Sequence, residues 1–477
     1  NVFKSLGYTT GIFGKWHNGA HYPYHPLGRG FDEFVGFASG HWTSYFNTTI
    51  EKNGKPFKTE GYLPDVLTNE AIGFIEKSHQ NKTPFFCYLP YQTPHTPLQV
   101  PDKYFDKYKN KGVDDFNATI YGMAENIDDN VGRLLNTLET LNIKDNTIII
   151  YMSDNGPLNL RYNAGLKGKK GSVDEGGVKV PFIINWKDSI LANKTINKPL
   201  AHIDVLPTLL DLVGADYNFK KTIDGKSFKE LLKLDTVETP SNRNLFAEWQ
   251  GNKRVRSGDF LMINDELFDL KNHPGQAINI RESNQFIYDS LLNTYKKWHK
   301  TLPLQKESKP IPVGYKNYPV THLPAHEANL FPPFEFRKDR KHTGIAYHSL
   351  YGWAHDWIDF WTKPSAYANW DIDIVEAGDY EIALKYALAK EDVGVRLVLE
   401  IDNQNIPIEN LEAFEHAEFE NFDRVQRGQE APETDWKTVT IGKLYLTEGI
   451  KEVTIKTQEI KGKKSIELKG ILIKKFK

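Results

Sequence analysis

The sequence contains a single cysteine, Cys87, in 477 residues, so an internal disulfide framework is excluded. An excess of charge of one sign is also lacking, because 60 lysine and arginine residues nearly balance 62 aspartate and glutamate residues. This balance gives no indication of a nucleic-acid partner or of binding to an acidic membrane surface. The longest apolar runs, such as residues 148–152 (IIIYM), are far shorter than the roughly 20 residues that span a bilayer.

The composition that remains is that of a globular protein. Hydrophobic residues make up 39% of the sequence and charged residues 26%, which is enough apolar material for a sizeable core. A chain of this length exceeds one ordinary core, so we expect two or more domains. The sequence shows no signal peptide, which excludes nothing because a mature chain would lack one.

Residues 1–237 alternate between strand-like and helix-like patterns. Strands are predicted at 9–13, 84–89, 146–153 and 181–186, and helices at 65–79, 120–141 and 204–213. This alternation predicts an α/β domain with a mostly parallel sheet that is flanked by helices. The run at 146–153 is continuously apolar, which predicts a strand that is covered on both faces.

Three further regions follow in the sequence. Residues 238–302 predict a small antiparallel subdomain that ends in a helix at 285–299, and residues 303–335 are rich in proline and predict a linker. Residues 336–477 alternate with period two between short turns, which predicts an antiparallel β-sandwich.

Four tryptophans stand close together in the predicted sandwich, at positions 353, 357, 361 and 370. Aromatic rings of this kind stack on sugar rings in carbohydrate-binding modules, but they also fill the core of most β-sandwiches. The sequence favours the core and leaves the carbohydrate-binding interpretation open.

Chemically active side chains follow the predicted strands of the first region. Lys15 and His17 follow the first strand, His95 the second, Asp154 and Asn155 the third, and Lys170 stands in a glycine-rich loop before the fourth. Ligands of an open parallel sheet bind beyond the carboxyl ends of its strands. Carboxylate and amide oxygens suit Ca²⁺ or Mg²⁺, while lysine and histidine suit an anionic oxyacid and proton transfer. We therefore predict an anion site with a divalent cation.

The segments that carry these residues resemble those of a known family. They include GYTTGIFGKWHNG (7–19), PFFCYLPYQTPHTPLQVPDKY (84–104), NTIIIYMSDNG (146–156), GLKGKKGSVDEGGVKVPFII (165–184) and HIDVLPTLLDLVGA (202–215). In this order they resemble the formylglycine-dependent sulfatases of the alkaline-phosphatase superfamily, over nearly all of residues 4–300. The resemblance implies hydrolysis of sulfuric esters on an α/β core.

The resemblance also implies roles for the strand-end residues. Asp154 and Asn155 would bind a divalent ion, Ca²⁺ with Mg²⁺ as the alternative, and Lys15 and Lys170 would hold sulfate oxygens or the bridging oxygen. His17 would support the formylglycine hydrate, and His95 would protonate the leaving alcohol. Residues that face the substrate would stand in the surrounding loops, where the candidates are His21, Tyr24, His25, His41, Trp42 and Arg161. For Arg161, a role that only braces its loop is an equal alternative.

The nucleophile of the family is absent from this sequence. It is a cysteine or serine in a C/S-x-P-x-R context, whereas Cys87 stands inside the predicted strand FFCYLP without that context and suits an apolar core. We expect the formylglycine upstream of residue 1 and expect this chain alone to be inactive. A degenerate, non-catalytic homologue is the alternative.

The substrate implied by the resemblance is a sulfated polysaccharide or oligosaccharide, and the implied location is periplasmic or secreted. A phosphodiesterase or phosphatase of the same superfamily, or a non-catalytic protein that binds sulfated glycans, would share much of the pattern. The sequence does not specify the sugar, the sulfate position, endo or exo action, or the oligomeric state.

Overall fold

The computed structural model describes residues 1–234, 243–303, 309–333, 343–349, 351–417 and 419–476. By its spatial contacts the chain divides into two compact units. Unit 1 comprises Asn1–Thr137 and Glu307–Lys477, and unit 2 comprises Leu138–Lys306. The first 137 residues therefore group with the segments for which the sequence predicts a linker and a β-sandwich.

The first part of unit 1 is an α/β layer. Its helices are α1 (Val2–Ser5), α2 (Leu63–Gln80), α3 (Asp102–Lys109) and most of α4 (Asp115–Thr140), which continues into the first residues of unit 2. Its strands are β1 (Thr9–Lys15), β2 (Glu33–Phe37), β3 (Thr49–Lys52), β4 (Lys55–Lys58) and β5 (Phe85–Tyr88). The sheet has the order β4-β3-β2-β1-β5, and β1 pairs in parallel with both β2 and β5. The strands and helices predicted for this part are confirmed.

Helix α2 covers one face of this sheet because its apolar residues recur at helical spacing. Leu67, Ala71 and Phe74 are buried on one side of the helix. The ring of Phe74 lies 5.4 Å from the ring of Phe13 in β1. Full burial of a leucine or phenylalanine side chain contributes about 1.5–3 kcal/mol to the free energy of folding. These contacts therefore hold strand β1, whose end carries Lys15, in place.

Unit 2 contains short helices and two antiparallel sheets. Its helices are α5 (Glu175–Val178), α6 (Val205–Leu212), α7 (Lys229–Lys233) and α8 (Gln285–His299), and its strands are β6 (Ile149–Met152), β7 (Phe182–Asn185), β8 (Asn244–Trp249), β9 (Asn252–Ser257), β10 (Phe260–Ile263) and β11 (Glu266–Asp269). The order β11-β10-β9-β8 and helix α8 confirm the predicted antiparallel subdomain. Among the described residues, no helix of either unit has the length and apolar character that a bilayer span requires.

Strand β6 differs from its predicted environment. The sequence predicts a strand that is covered on both faces, but Tyr151 is 43% exposed and Ile183 of β7 is 62% exposed. In the described part of the chain, β6 pairs with β7 alone, and the pairing is antiparallel. A two-stranded sheet offers too few neighbours to cover both faces, so apolar composition alone misjudged the burial of this strand.

The second part of unit 1 is a β-sandwich. Its strands are β12 (Ile311–Val313), β13 (Val320–Pro324), β14 (Asn329–Phe331), β15 (Ala346–Tyr347), β16 (Ile358–Asp359), β17 (Tyr367–Ile374), β18 (Gly378–Ala387), β19 (Arg396–Ile401), β20 (Gln404–Ile408), β21 (Lys437–Leu446), β22 (Gly449–Glu459) and β23 (Glu467–Lys475). They form two six-stranded sheets that share one buried cluster of side chains. Antiparallel pairing dominates, as predicted.

Three of these strands lie in the segment predicted as a linker. Strand β12 pairs with β17, β13 pairs with β23, and β14 pairs with β17. Proline does not prevent this, because β12, which contains Pro312, lies at the edge of its sheet, where a missing N–H is tolerated. Residues 311–331 therefore belong to the sandwich rather than to a linker without regular structure.

The tryptophans of the sandwich are mostly core residues. Trp357, Trp361 and Trp370 are 2%, 0% and 1% exposed, whereas Trp353 is 50% exposed. The buried indole nitrogens of Trp361 and Trp370 donate to the carbonyl oxygens of Ala366 and Pro324 at 3.0 and 2.9 Å. Three of the four rings thus fill the core, where a sugar has no access.

Candidate active site

The segment that follows β1 is held between its two parallel neighbours. The backbone N–H of Lys15 donates to Pro90 O at 2.8 Å, and that of Trp16 donates to Phe37 O at 3.0 Å. The indole of Trp16 anchors the next turn by donating to Gly19 O and Tyr24 O, both at 3.1 Å. Lys15 is half-buried and His17 is exposed, so both stand on a fixed backbone at the carboxyl edge of the sheet.

The imidazole of His17 packs against a glycine that this position requires. Gly40 has a φ of +78°, and a Cβ atom on it would lie 2.1 Å from Cδ2 of His17. Any other residue would be strained in this left-handed conformation and would also displace the ring. The close approach places His17 beside the segment that continues into His41.

His95 lies in a loop that hydrogen bonds hold rigidly after β5. Its Nδ1 atom is 2.9 Å from Thr96 O and 3.2 Å from Thr96 Oγ1, and the hydroxyl of Tyr45 donates to His95 O at 3.0 Å. Gln92 ties the loop to the neighbouring segment by accepting from Trp42 N at 2.6 Å and donating to Trp42 O at 2.8 Å. Because β1 and β5 are parallel neighbours, His95 stands at the same sheet edge as Lys15 and His17.

A glutamate of the β-sandwich joins this cluster. The rings of His41 and His95 are 5.1 Å apart, and Nε2 of His41 lies 3.3 Å from Oε2 of Glu430. The hydroxyl of Thr96 donates to the other carboxylate oxygen of Glu430. Sequence reasoning missed Glu430 because 334 positions separate it from Thr96 and no local motif marks it.

Two of the predicted substrate residues have partners within unit 1. Nε2 of His21 lies 2.7 Å from Oε2 of Glu327, a residue that the sequence did not single out. His25 is fully buried, its Nδ1 accepts from Leu27 N at 3.3 Å, and its Nε2 lies 3.1 Å from a carboxylate oxygen of Glu51. The ring of His25 therefore supports the turn, and the expectation that it faces the substrate is corrected.

The predicted metal and lysine residues of unit 2 share a second loop cluster. Asn155 N donates to Oδ1 of Asp154 at 2.8 Å, and Lys170 N donates to Pro157 O at 2.8 Å. A Cβ atom on Gly156 would lie 1.9 Å from Gly176 O, so the loop after β6 and the glycine-rich loop meet at their backbones. Asp154, Asn155 and Lys170 are thus neighbours within this unit, and Arg161 lies half-buried in the connecting loop.

A buried ion-pair network fixes the glycine-rich loop. Glu175 is 2% exposed, its carboxylate accepts from Arg254, and its Oε2 lies 3.0 Å from Nη1 of Arg256. Arg254 Nη1 also donates to Val173 O at 2.7 Å. Burial opposes ionisation of the carboxyl group, but the two guanidinium groups outweigh it and lower the pKa of Glu175. The network holds the buried carboxylate between two guanidinium groups.

The donor atoms of Asp154 and Asn155 suit a hard cation. Nδ2 of Asn155 donates to Gly156 O at 2.9 Å, which leaves its Oδ1 as an acceptor beside the exposed carboxylate of Asp154. Calcium takes about six to eight oxygen ligands, so these two residues fit the ion in type and form part of a full set. His202, which the sequence analysis did not single out, contacts the backbone directly before Asp154, because its Nε2 lies 3.0 Å from Ser153 O.

Among the residues that the structure describes, two other groups of side chains offer three metal-donor atoms each within 4.8 Å of one another. They are His41, His95 and Glu430, and His348, Asp359 and Glu467. In the second group, the ammonium of Lys464 already contacts Asp359 and Glu467 at 2.6 and 2.7 Å. In the first, Thr96 and His41 already engage the carboxylate of Glu430.

Cys87 does not have the properties of a nucleophile. It lies inside β5, and burial raises the pKa of its thiol to about 12. The side chain is therefore a neutral thiol at neutral pH.

Comparison with known proteins connects these clusters to a family. The family model described as Sulfatase matches residues 1–215. The crystal structure of Ps i-CgsB is 31% identical in sequence and superposes with a TM-score of 0.58, covering 62% of this chain and 72% of that chain. This chain belongs to the sulfatase family. Ps i-CgsB has also been solved in complex with k-i-k-neocarrahexaose, with the same coverage and TM-score.

Other sulfatases match a smaller part of their own length. The uncharacterized sulfatase YdeN of Escherichia coli K12 is 30% identical over 335 residues, which are 62% of this chain and 57% of YdeN. N-acetylgalactosamine-6-sulfatase of Mus musculus is 29% identical over 263 residues, 50% of this chain and 49% of that protein. The chain thus spans about half the length of these sulfatases, and the α/β fold expected from the resemblance is confirmed.

Proposed function

We propose that this protein hydrolyses sulfate esters of a sulfated polysaccharide or oligosaccharide. The observation that carries the proposal is the arrangement of Lys15, His17 and His95 at one carboxyl edge of the sheet in unit 1, inside the region that matches the sulfatase family. An edge that offers an ammonium group and two imidazoles suits an anionic ester whose leaving oxygen needs a proton.

Each residue has one task in the proposed reaction. Lys15 and Lys170 bind sulfuryl oxygens, and their positive charge stabilises the charge that builds up as the S–O bond breaks. His95 gives a proton to the departing sugar oxygen, and His17 would act as the base when sulfate is later released. Formylglycine would supply the hydroxyl nucleophile that attacks sulfur.

Asp154 and Asn155 would hold Ca²⁺ or Mg²⁺ in this proposal. A divalent ion would supply positive charge beside the sulfuryl oxygens. His21 and Arg161 are proposed to contact the sugar, where a guanidinium group could pair with a carboxylate or a second sulfate. A periplasmic or secreted location follows from the resemblance to exported carbohydrate-active sulfatases.

The support for a carbohydrate substrate is the family relationship to Ps i-CgsB, which has been solved with k-i-k-neocarrahexaose. Paired assays on the protein expressed from its complete gene test the reaction class. Sulfate release from sulfated oligosaccharides and from 4-nitrophenyl sulfate should exceed phosphate release from 4-nitrophenyl phosphate. Faster phosphate release would identify a phosphatase, and binding of sulfated glycans without release of sulfate would identify a non-catalytic homologue.

Asp154→Asn is expected to weaken binding of the divalent ion, because one of the two proposed ligands loses its negative charge. Calcium at about 100 times its Kd would stabilise the unaltered protein by about 2.7 kcal/mol, and the variant should lose most of that gain. Elemental analysis after dialysis and thermal melting with and without calcium measure both effects. Asp188→Asn changes an exposed aspartate of the same unit and should leave both unchanged. Equal calcium content in the two variants would remove the assignment.

A further inference from the structure

Loop 421–433 of the β-sandwich is bound closely to the segment that carries His95. Gln99 Nε2 donates to Oδ1 of Asp423 at 2.8 Å, and Arg424 N donates to Leu98 O at 2.9 Å. The ring of Phe422 stacks on that of Phe46 with centroids 4.3 Å apart. These contacts hold the loop against the segments that carry His41 and His95, so the docked loop sets the position of Glu430.

The loop itself is braced from within. Nε and Nη2 of Arg427 each donate to the carboxylate of Asp423 at 3.1 Å, and Nη1 of Arg427 donates to Ala431 O at 3.2 Å. Such a bidentate pair fixes geometry as well as charge. The backbone next to Glu430 is therefore held, and the side chain of Glu430 is only 10% exposed.

The hydrogen bonds around His95 show which atom is the donor in each pair. The hydroxyl of Thr96 has one proton, and it donates this proton to the carboxylate of Glu430. Thr96 Oγ1 and Thr96 O are then both acceptors toward Nδ1 of His95, at 3.2 and 2.9 Å. Nδ1 of His95 therefore carries a proton that it donates to Thr96, and a proton that is transferred to a substrate must stand on Nε2.

We propose that Glu430, supplied by the β-sandwich, is a positioning residue that keeps His95 in the doubly protonated form that donates to the leaving oxygen. This rests on the proposed function, in which His95 is the proton donor. As the S–O bond of the ester breaks, the Nε2 proton moves to the sugar oxygen. The ring is left neutral with Nδ1–H still donating to Thr96, and water later returns a proton to Nε2.

The charges near His95 support this assignment. The described groups that face Glu430 are His41, Thr96 and His95, and Tyr45 lies close enough to sense its charge. Burial works against ionisation of Glu430, but His41, Thr96 and His95 together outweigh it and lower the pKa of the carboxyl group. A carboxylate that stays ionised beside an imidazole favours the imidazolium form.

Glu430→Gln tests the inference in the protein expressed from its complete gene. Loss of the negative charge lowers the pKa of a nearby imidazolium by about one unit or more, so the alkaline limb of kcat/KM should move by that amount toward acid pH. At pH values above this limb, a shift of one pKa unit lowers kcat/KM for a sugar sulfate about tenfold. With 4-nitrophenyl sulfate the loss should be much smaller, because its phenolate departs without a proton donor.

Matched variants separate this role from a structural one. Glu433→Gln removes a half-buried carboxylate from the same loop. That carboxylate accepts from Thr48 at 2.5 Å, so this variant should keep the pH profile of the unaltered protein. Thr96→Val removes the hydroxyl between carboxylate and imidazole and should reproduce the selective loss, whereas Thr96→Ser should retain activity. Thermal melting confirms that each variant is folded.

The outcomes distinguish the two levels of the proposal. If the unaltered protein releases no sulfate from either substrate, the proposed function fails. If the protein is active, two results overturn the role of Glu430. Either Glu430→Gln and Thr96→Val leave the pH profile unchanged, or they lower kcat/KM equally for both substrates. A selective loss with the expected shift supports it.

Discussion

Replacing His95 with alanine is expected to lower turnover of a sulfated sugar by about 10²–10⁴-fold, the usual contribution of a general acid. The sugar oxygen is a poor leaving group, and the structure holds the His95 backbone and Nδ1 through Tyr45 and Thr96. The loss should appear in kcat rather than in KM, because the proton moves only as the S–O bond breaks. Sulfate release under steady-state conditions measures it.

His79→Ala is the matched control for this variant, since His79 is an exposed histidine in the last turn of α2. The control should retain full turnover, and both variants should melt at the temperature of the unaltered protein. Near-normal sulfate release by His95→Ala would show that another group protonates the leaving oxygen. A parallel loss with Lys15→Ala would support the role of the ammonium group in binding sulfuryl oxygens.

Glu175→Ala is expected to destabilise unit 2 by about 3–5 kcal/mol, because it leaves Arg254 buried and without its carboxylate partner. Arg254 is 6% exposed, so water cannot replace the lost charge without opening the structure. Urea unfolding followed by fluorescence measures the loss. Glu282→Ala removes an exposed glutamate of the same unit and should change stability by less than about 0.5 kcal/mol. Equal unfolding midpoints for the two variants would contradict the assignment.

The same ion pair predicts a dependence of stability on pH. The pKa of Glu175 is lowered in the folded state, so its contribution is complete above the ordinary carboxyl range and is lost as the pH falls through the folded value. Acidification should therefore destabilise the unaltered protein more steeply than Glu175→Ala. Identical slopes would show that the carboxylate titrates normally.

The parts of this fold that the sequence predicted are those with local patterns. Helix α8 has the predicted bounds, Gln285–His299, because its apolar residues recur at helical spacing within the segment itself. His95 could be singled out because it follows a short apolar strand in a proline-bounded turn. Parallel pairing of β1 with β5 then placed it at the same edge as Lys15.

The parts that the sequence did not predict depend on distant contacts. Glu430 stands in a polar loop without a motif, and only the docking of that loop brings it to Thr96. His25 resembles a reactive loop residue in sequence, yet Glu51 and the N–H of Leu27 engage its ring nitrogens. Strands β12, β13 and β14 were hidden because each has three to five residues and finds its pairing partner far along the chain.

The sharing of unit 1 between the first 137 residues and the sandwich has a consequence for how such proteins diverge. A recombination event that exchanged the carboxyl-terminal half for that of a relative would separate Thr96 from Glu430, and Gln99 from Asp423. The two halves should therefore be inherited together, with substitutions in one accompanied by substitutions in the other. For the same reason, a chain that is truncated before the sandwich would lose contacts that hold the segment of His95.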